Sequence, residues 1–217
     1  MKIIISCCDR KNGMTFQQDG DKINFVSNVN EVSSNNELYF HPDNLIPNEN
    51  ITWRELIAKQ ENRIDLLSTY ILYKPNIYKL LFQHYGNDLF IFSAGWGIVR
   101  ADYKLPKYNV TFSNGKNIPF YARRKKNDVF NDFNQLEGLD LNERIIFIAG
   151  KDYVSTFCQL TNHLPNEKII IYKSQDVLID NPYLNKNNFQ FFHYQTNTRT
   201  NWHYEFANRL MNNQIEL

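Results

Sequence analysis

Three cysteines, eight glycines and seven prolines are few for a chain of 217 residues, and the formal net charge is only +1. Cys7 and Cys8 are adjacent, which rarely suits a mutual disulfide, and Cys158 is far off in sequence. An odd count without secretory features points to reduced thiols in a cytoplasm. No metal-ligand spacing appears, and no cofactor motif calls for one. Near-neutrality excludes a whole-molecule basic field, so a nucleic-acid partner has to be held by a local patch. The opening MKIIISCC has an apolar run too short for a signal peptide, and no stretch approaches the roughly 18 apolar residues of a membrane span. Internal repeats and Pro-, Gly- or Ser-rich linkers are also missing. Residues 1–217 therefore read as one soluble domain, long enough to bury a sizeable core.

What is present is a succession of short, largely apolar runs. Leu89–Phe92 and Arg144–Ala149 have the continuous hydrophobicity of strands covered on both faces, Lys2–Cys7 reads as a central strand, and Lys168–Tyr172 and Phe189–Tyr194 read as further strands. Helices are expected between them. Thr52-Trp53-Arg54-Glu55 has the form of a capping box, and a second helix runs from Pro75 to Tyr85 and stops at Gly86. Further helices are expected over 128–136, after Gly150, and from Thr200 or Asn201, where Trp202, Phe206 and Leu210 recur at four-residue spacing. Met14 to Asn36 reads as loops with one edge hairpin. Strand, tight turn and helix in alternation predict an α/β fold with a mainly parallel sheet.

Ligands of such folds bind beyond the carboxyl ends of the strands. The loop after Leu89–Phe92 is the first candidate, because Gly95 and Gly97 bracket Trp96. A large ring fixed there is either a stacking platform for a base or a plug closing the sheet end. Ser93, Tyr108, Asn109 and Tyr39 offer polar groups to the same ligand. Asp9, just past the first strand, can orient a water or a sugar-ring cation, or simply cap a turn. Asp102 is a general base or the surface partner of Arg100. His193 is a proton donor to a developing anion or a hydrogen-bonded structural residue. Lys11 and Lys151 can grip phosphate, the latter at a helix start, although nothing completes a nucleotide-triphosphatase loop. Arg123, Arg124, Lys125 and Lys126 form the one dense basic run, a candidate for phosphate backbone or a solvated loop.

Three of these segments resemble one family. Ile5-Ser6-Cys7-Cys8-Asp9-Arg10-Lys11, Leu38-Tyr39, and Phe92-Ser93-Ala94-Gly95-Trp96-Gly97-Ile98-Val99 with Pro106-Lys107-Tyr108-Asn109-Val110-Thr111 are similar to motifs of YaaA-like peroxide-stress proteins and their small relatives. The resemblance covers the first half of the chain. It implies a three-layer α/β/α domain like that of uracil-DNA glycosylases, DNA as partner, and excision of a modified or damaged base, as in anti-phage glycosylases of the same neighbourhood. A non-catalytic DNA-binding stress protein and an enzyme of free nucleosides or nucleotides are the alternatives. The family often carries Lys at position 95 and Asp at 109, where this chain has Gly and Asn, so a catalytic carboxylate falls to Asp9 or Asp102.

Overall fold

The computed structural model describes residues 1–33, 37–125 and 128–217. Its strands are β1 (Lys2–Ser6), β2 (Phe16–Gln18), β3 (Asp21–Val26), β4 (Leu38–Phe40), β5 (Leu66–Ser68), β6 (Leu89–Ser93), β7 (Gly97–Arg100), β8 (Lys104–Pro106), β9 (Tyr108–Asn109), β10 (Phe133–Asn134), β11 (Ile145–Ile148), β12 (Lys168–Tyr172) and β13 (Phe189–His193). The α-helices are α1 (Trp53–Ala58), α2 (Thr69–Leu72), α3 (Ile77–Tyr85), α4 (Lys151–Thr161) and α5 (Trp202–Met211). The Thr52 and Glu55 side chains close a capping box at α1, and α3 stops where Gly86 takes φ 53°.

The central sheet has seven strands in the order β10-β7-β6-β1-β11-β12-β13. Strands β6, β1, β11, β12 and β13 are parallel; β7 turns back against β6, and β10 runs parallel to β7 at the edge, so both oppose the other five. Ile3, Ile4 and Ile5 have no exposed surface, as a central parallel strand requires. The chain crosses from β1 to β6 on one side and later passes to β11 on the other. The strand order thus reverses at β1, where a crevice opens beyond its carboxyl end. Right-handed crossovers in opposite directions set α3 and α4 on opposite faces of the sheet. Helix α3 meets α5 through Tyr78 and Tyr204, while α4 stacks Phe157 on Phe147 of β11 at 3.9 Å. This is an α/β fold with a mainly parallel central sheet, compatible with a three-layer α/β/α domain. Among the described residues no helix is long and apolar enough to cross a membrane.

Two small sheets flank the main one. In the first, β3 pairs with β2, β4 and β9, placing Tyr108 opposite Phe25. Strands β5 and β8 form the second.

The helix expected over 128–136 does not form. Instead Phe133 and Gln135 donate from their backbone amides to Trp96 and Ile98, which adds β10 to the sheet. The segment NDVFNDFNQ is rich in Asn and Asp, which favour local turns over helix, and Asp132 is drawn inward by Arg124.

Lys168 is buried with no carboxylate partner among the described residues; its ammonium donates to the Leu164 and Asn166 carbonyls at 2.6 and 2.8 Å. Burial lowers its pKa to about 8, and burial pushes the nearby Cys158 thiol up to about 12. The two act with opposite signs. Folded Lys168 binds fewer protons than the unfolded residue between about pH 8 and its ordinary value near 10.4, so its contribution makes stability rise there. Cys158 keeps its proton when folded, so above the ordinary thiol value near 8.5 its contribution makes stability fall. The variant Cys158→Ala removes only the falling component and leaves a packing cost that does not vary with pH. Its stability deficit against the parent should therefore shrink by about 1 kcal/mol between roughly pH 8 and 9.5. A deficit in thermal unfolding that stays constant over that range would show that the folded thiol ionises normally.

Candidate functional site

The carboxyl ends of five parallel strands lie along one edge of the sheet. At the reversal point a cleft of 440 Å³ is walled by the segment after β1 (Cys7, Cys8, Asp9, Lys11), by Asn109 to Thr111 after β9, and by Asn117 to Pro119. The starts of α4 (Gly150, Tyr153) and α5 (Asn201, His203, Tyr204) complete it. A second cleft of 320 Å³ shares Asp9, Lys11 and Asn109 and adds Thr15, Asn24, Lys107 and Tyr108. A larger cavity of 520 Å³ runs from Ser27 and His41 to Arg123 and Phe130 and includes none of the strand-end residues.

Lys11 stands where the two clefts meet. It is 8 % exposed, and a backbone bridge to Tyr73 fixes its position. Its ammonium lies 4.1 Å from the Tyr108 ring centre and 3.4 Å from the Asp9 carbonyl, and it forms no ion pair among the described residues. Burial lowers its pKa, since the charged form is the one that loses by leaving water. Asp9 itself is exposed on the rim.

Beneath Lys11 the phenols are chained together. Ser93 Oγ donates to Tyr108 Oη at 2.8 Å, and the Tyr73 and Tyr108 hydroxyls are 2.9 Å apart. Cys7 Sγ lies 3.3 Å from Tyr153 Oη and accepts from the Ala94 amide. Burial raises the pKa of Tyr73, Tyr108 and Tyr153 well above the ordinary phenol value, so they remain neutral hydrogen-bonding groups.

Both helices at the cleft begin uncapped. Neither Gly150 nor Asn201 bonds a first-turn amide with a side chain, and the Tyr153 and Tyr204 amides donate instead to the Gly150 and Asn201 carbonyls at 3.1 and 2.9 Å. Asn201 holds φ 60°. The loop before it is tied to α5 by Glu205, which accepts from Tyr194 Oη at 2.6 Å and from the hydroxyls of Thr196 and Thr198. Burial drops the His203 pKa to about 4, so its imidazole is neutral at physiological pH.

The structure therefore gathers Asp9, Lys11, Tyr108 and Asn109 around one pair of clefts, with Ser93 supporting Tyr108 from below. The other expected site residues lie elsewhere. Trp96 is fully buried, with Phe25 edge-on at 5.2 Å and the Arg54 guanidinium 5.3 Å from its ring centre. It plugs the sheet end and offers no face to a base. Asp102 is carried by the antiparallel β7 back to the amino end of β6, where it pairs with Arg100 on the surface. His193 ends an edge strand three places from β1, about 14 Å at ordinary strand spacing. Its Nε2 is 3.1 Å from the Lys173 carbonyl, beside a shallow cleft of its own. Tyr39 donates to Glu37 at 2.8 Å and lines neither strand-end cleft. Lys151 is paired outward with Asp176.

The basic run also divides. Arg124 is buried against Asp132 and the Ala94 carbonyl, and Arg123 donates to the Ile118 and Gly115 carbonyls. Neither guanidinium is turned toward a phosphate backbone. Lys125 is exposed at the 520 Å³ cavity, and Lys126 lies outside the described residues. Sequence reading missed Tyr153, Asn201, His203 and Tyr204. The available signal was the run Asn201-Trp202-His203-Tyr204 at the start of the helix that follows the last strand. Among the described residues no group of three His, Cys, Asp or Glu side chains is placed to hold a metal ion. No family model, curated protein or solved structure matches this chain.

Proposed function

We propose that the protein takes one nucleotide, extruded from DNA, into the strand-end cleft and hydrolyses the N-glycosidic bond of a modified or damaged base. The observation that carries this reading is the meeting of the Asp9 carboxylate, the buried Lys11 ammonium and the Asn109 amide at two adjoining clefts. The larger, at 440 Å³, falls within the usual range for a small-ligand site. When the bond from C1′ to the base breaks, its electron pair leaves with the base and positive charge develops on the sugar. Asp9 stabilises that cation and receives the proton of the water that adds to C1′, while Lys11 donates a proton to the departing base. The side-chain amide of Asn109 reads a polar edge of the base, and His203 and Tyr204 supply ring surface. At the level of fold class, a mainly parallel sheet reversing beside β1 supports a glycosylase-like architecture.

A second reading, a glycosyl-transferring enzyme of free nucleotides, is favoured by the inward turn of Arg123 and Arg124, which takes two of the run's cations away from any duplex backbone. The test is incubation in EDTA with DNAs carrying a panel of modified and damaged bases, and in parallel with the free nucleotides, followed by mass analysis of released bases. Release from DNA is expected, with a drop of about 100-fold or more in Asp9→Asn. Because Asp9 is exposed, that variant should keep the parent's melting temperature. Release from nucleotides alone selects the second reading, and salt-sensitive DNA retention with no release from either substrate overturns both.

A further inference from the structure

We propose that Lys11 is also an amine nucleophile, which forms a Schiff base with the ring-opened sugar of an abasic nucleotide in this cleft and cleaves the strand 3′ to it by β-elimination. The inference rests on the site assigned above but concerns a different bond. Two buried lysines of this chain make the contrast. Lys168 spends its ammonium on two short bonds to the Leu164 and Asn166 carbonyls, at 2.6 and 2.8 Å, and lines neither strand-end cleft. Lys11 is 8 % exposed, makes one long hydrogen bond at 3.4 Å to the Asp9 carbonyl beside its 4.1 Å approach to the Tyr108 ring, and borders both clefts. Only the second arrangement leaves an amine free to meet a ligand. Desolvation favours its neutral form, as it does for lysines that attack carbonyl groups. Departure of the base with a proton from Lys11 would leave that neutral amine beside the newly exposed C1′.

The step balances without any further reagent. The hemiacetal produced by base loss opens to the C1′ aldehyde, the neutral Lys11 amine adds to it, and the resulting hydroxyl takes the proton held by Asp9 and leaves as water, giving the protonated imine. Asp9, a carboxylate again, takes a proton from C2′. That electron pair forms the C2′–C3′ double bond, C3′–O breaks, and the 3′ phosphate leaves with its bonding pair. One water then hydrolyses the imine and frees Lys11, so the water lost earlier is restored.

The experiment supplies DNA with an abasic site formed in advance, which bypasses base release, and adds sodium borohydride to reduce any imine. A protein–DNA adduct stable to denaturant is expected, with peptide mapping placing the secondary amine on Lys11. Without borohydride the strand should be nicked 3′ to the abasic site. Adduct should fall to background in Lys11→Met and persist in Lys79→Met, which changes an exposed amine on α3 that lines neither cleft. The inference is overturned by the absence of adduct with the parent protein, or by mapping to Lys107 or the terminal amine. Mapping is done on the parent protein, so poor folding of Lys11→Met would not obscure the result. Base release without trapping refutes the inference alone, whereas trapping without base release refutes the glycosylase reading alone.

Discussion

Changing Asp132 to Asn should lower the free energy of unfolding by about 3–5 kcal/mol, the usual consequence of stranding one member of a buried ion pair. The two side chains are 3 % and 1 % exposed, with Arg124 reaching both carboxylate oxygens at 2.9 and 2.5 Å. Losing the carboxylate leaves a guanidinium that cannot shed its proton against a neutral amide, which offers one acceptor oxygen and turns an NH2 donor toward it, with the Ala94 carbonyl at 2.9 Å as the other acceptor. The effect extends beyond the pair. From the other side Arg54, itself paired with Asp43, donates to the carbonyls of Gly95 and Trp96, both at 3.1 Å. Three successive carbonyls of the turn between β6 and β7 are therefore held by two buried arginines. A fall in melting temperature of about 10 °C is expected for a chain of this size. The exposed pair Arg100–Asp102 provides the comparison, and Asp102→Asn should cost no more than about 1 kcal/mol. Equal melting temperatures for the two variants would mean that Arg124 and Asp132 do not hold the turn.

That pair also explains which parts of the chain were legible. Central strands announce themselves by local composition alone, because a strand covered on both faces needs only apolar side chains, as Ile3-Ile4-Ile5 and Lys168–Tyr172 supply. The capping box of α1 and the stop of α3 at Gly86 are likewise decided within a few residues. Lys11, Asp9, Tyr108 and Asn109 could be singled out because they directly follow or form strands, and the reversal of strand order at β1 draws those segments together. The segment 128–136 was not legible as a strand. Its conformation depends on Arg124 and on the free edge of β7, partners that local periodicity does not reveal. Trp96 stayed undecided between platform and plug for a related reason. Two flanking glycines suit a displayed ring and a buried one equally, and only the approach of Phe25, Arg54 and Phe133 decides. His203 and Tyr204 reach the cleft through the packing of α5 against α3, a relation between segments more than a hundred residues apart in sequence.

The two glycines themselves should behave very differently when each is replaced by Ala. Gly97 has φ +91°, and a Cβ there would lie 2.3 Å from the Phe133 carbonyl oxygen and 2.7 Å from Asp132 Cβ. The left-handed conformation costs a non-glycine residue about 1–2 kcal/mol, and a backbone atom of β10 cannot step aside as a flexible side chain can. Relief requires β10 to leave β7, which breaks the Phe133 amide bond to Trp96 and shifts Asp132 away from Arg124. A total of about 4 kcal/mol is expected, adding an overpacking cost to the backbone strain. Combined with Asp132→Asn the loss should be less than additive, since both changes disrupt one contact. Gly95 lacks a positive φ, and its Cβ would meet the Tyr108 ring at 3.1 Å. That ring can give by a few tenths of an ångström, so Gly95→Ala should cost little stability. The displaced ring is the one under the Lys11 ammonium. Gly95→Ala should therefore impair base release and borohydride trapping while melting close to the parent, and Gly97→Ala should do the reverse at temperatures where it stays folded. Full activity in Gly95→Ala would show that the contact between Tyr108 and Lys11 does not position the amine.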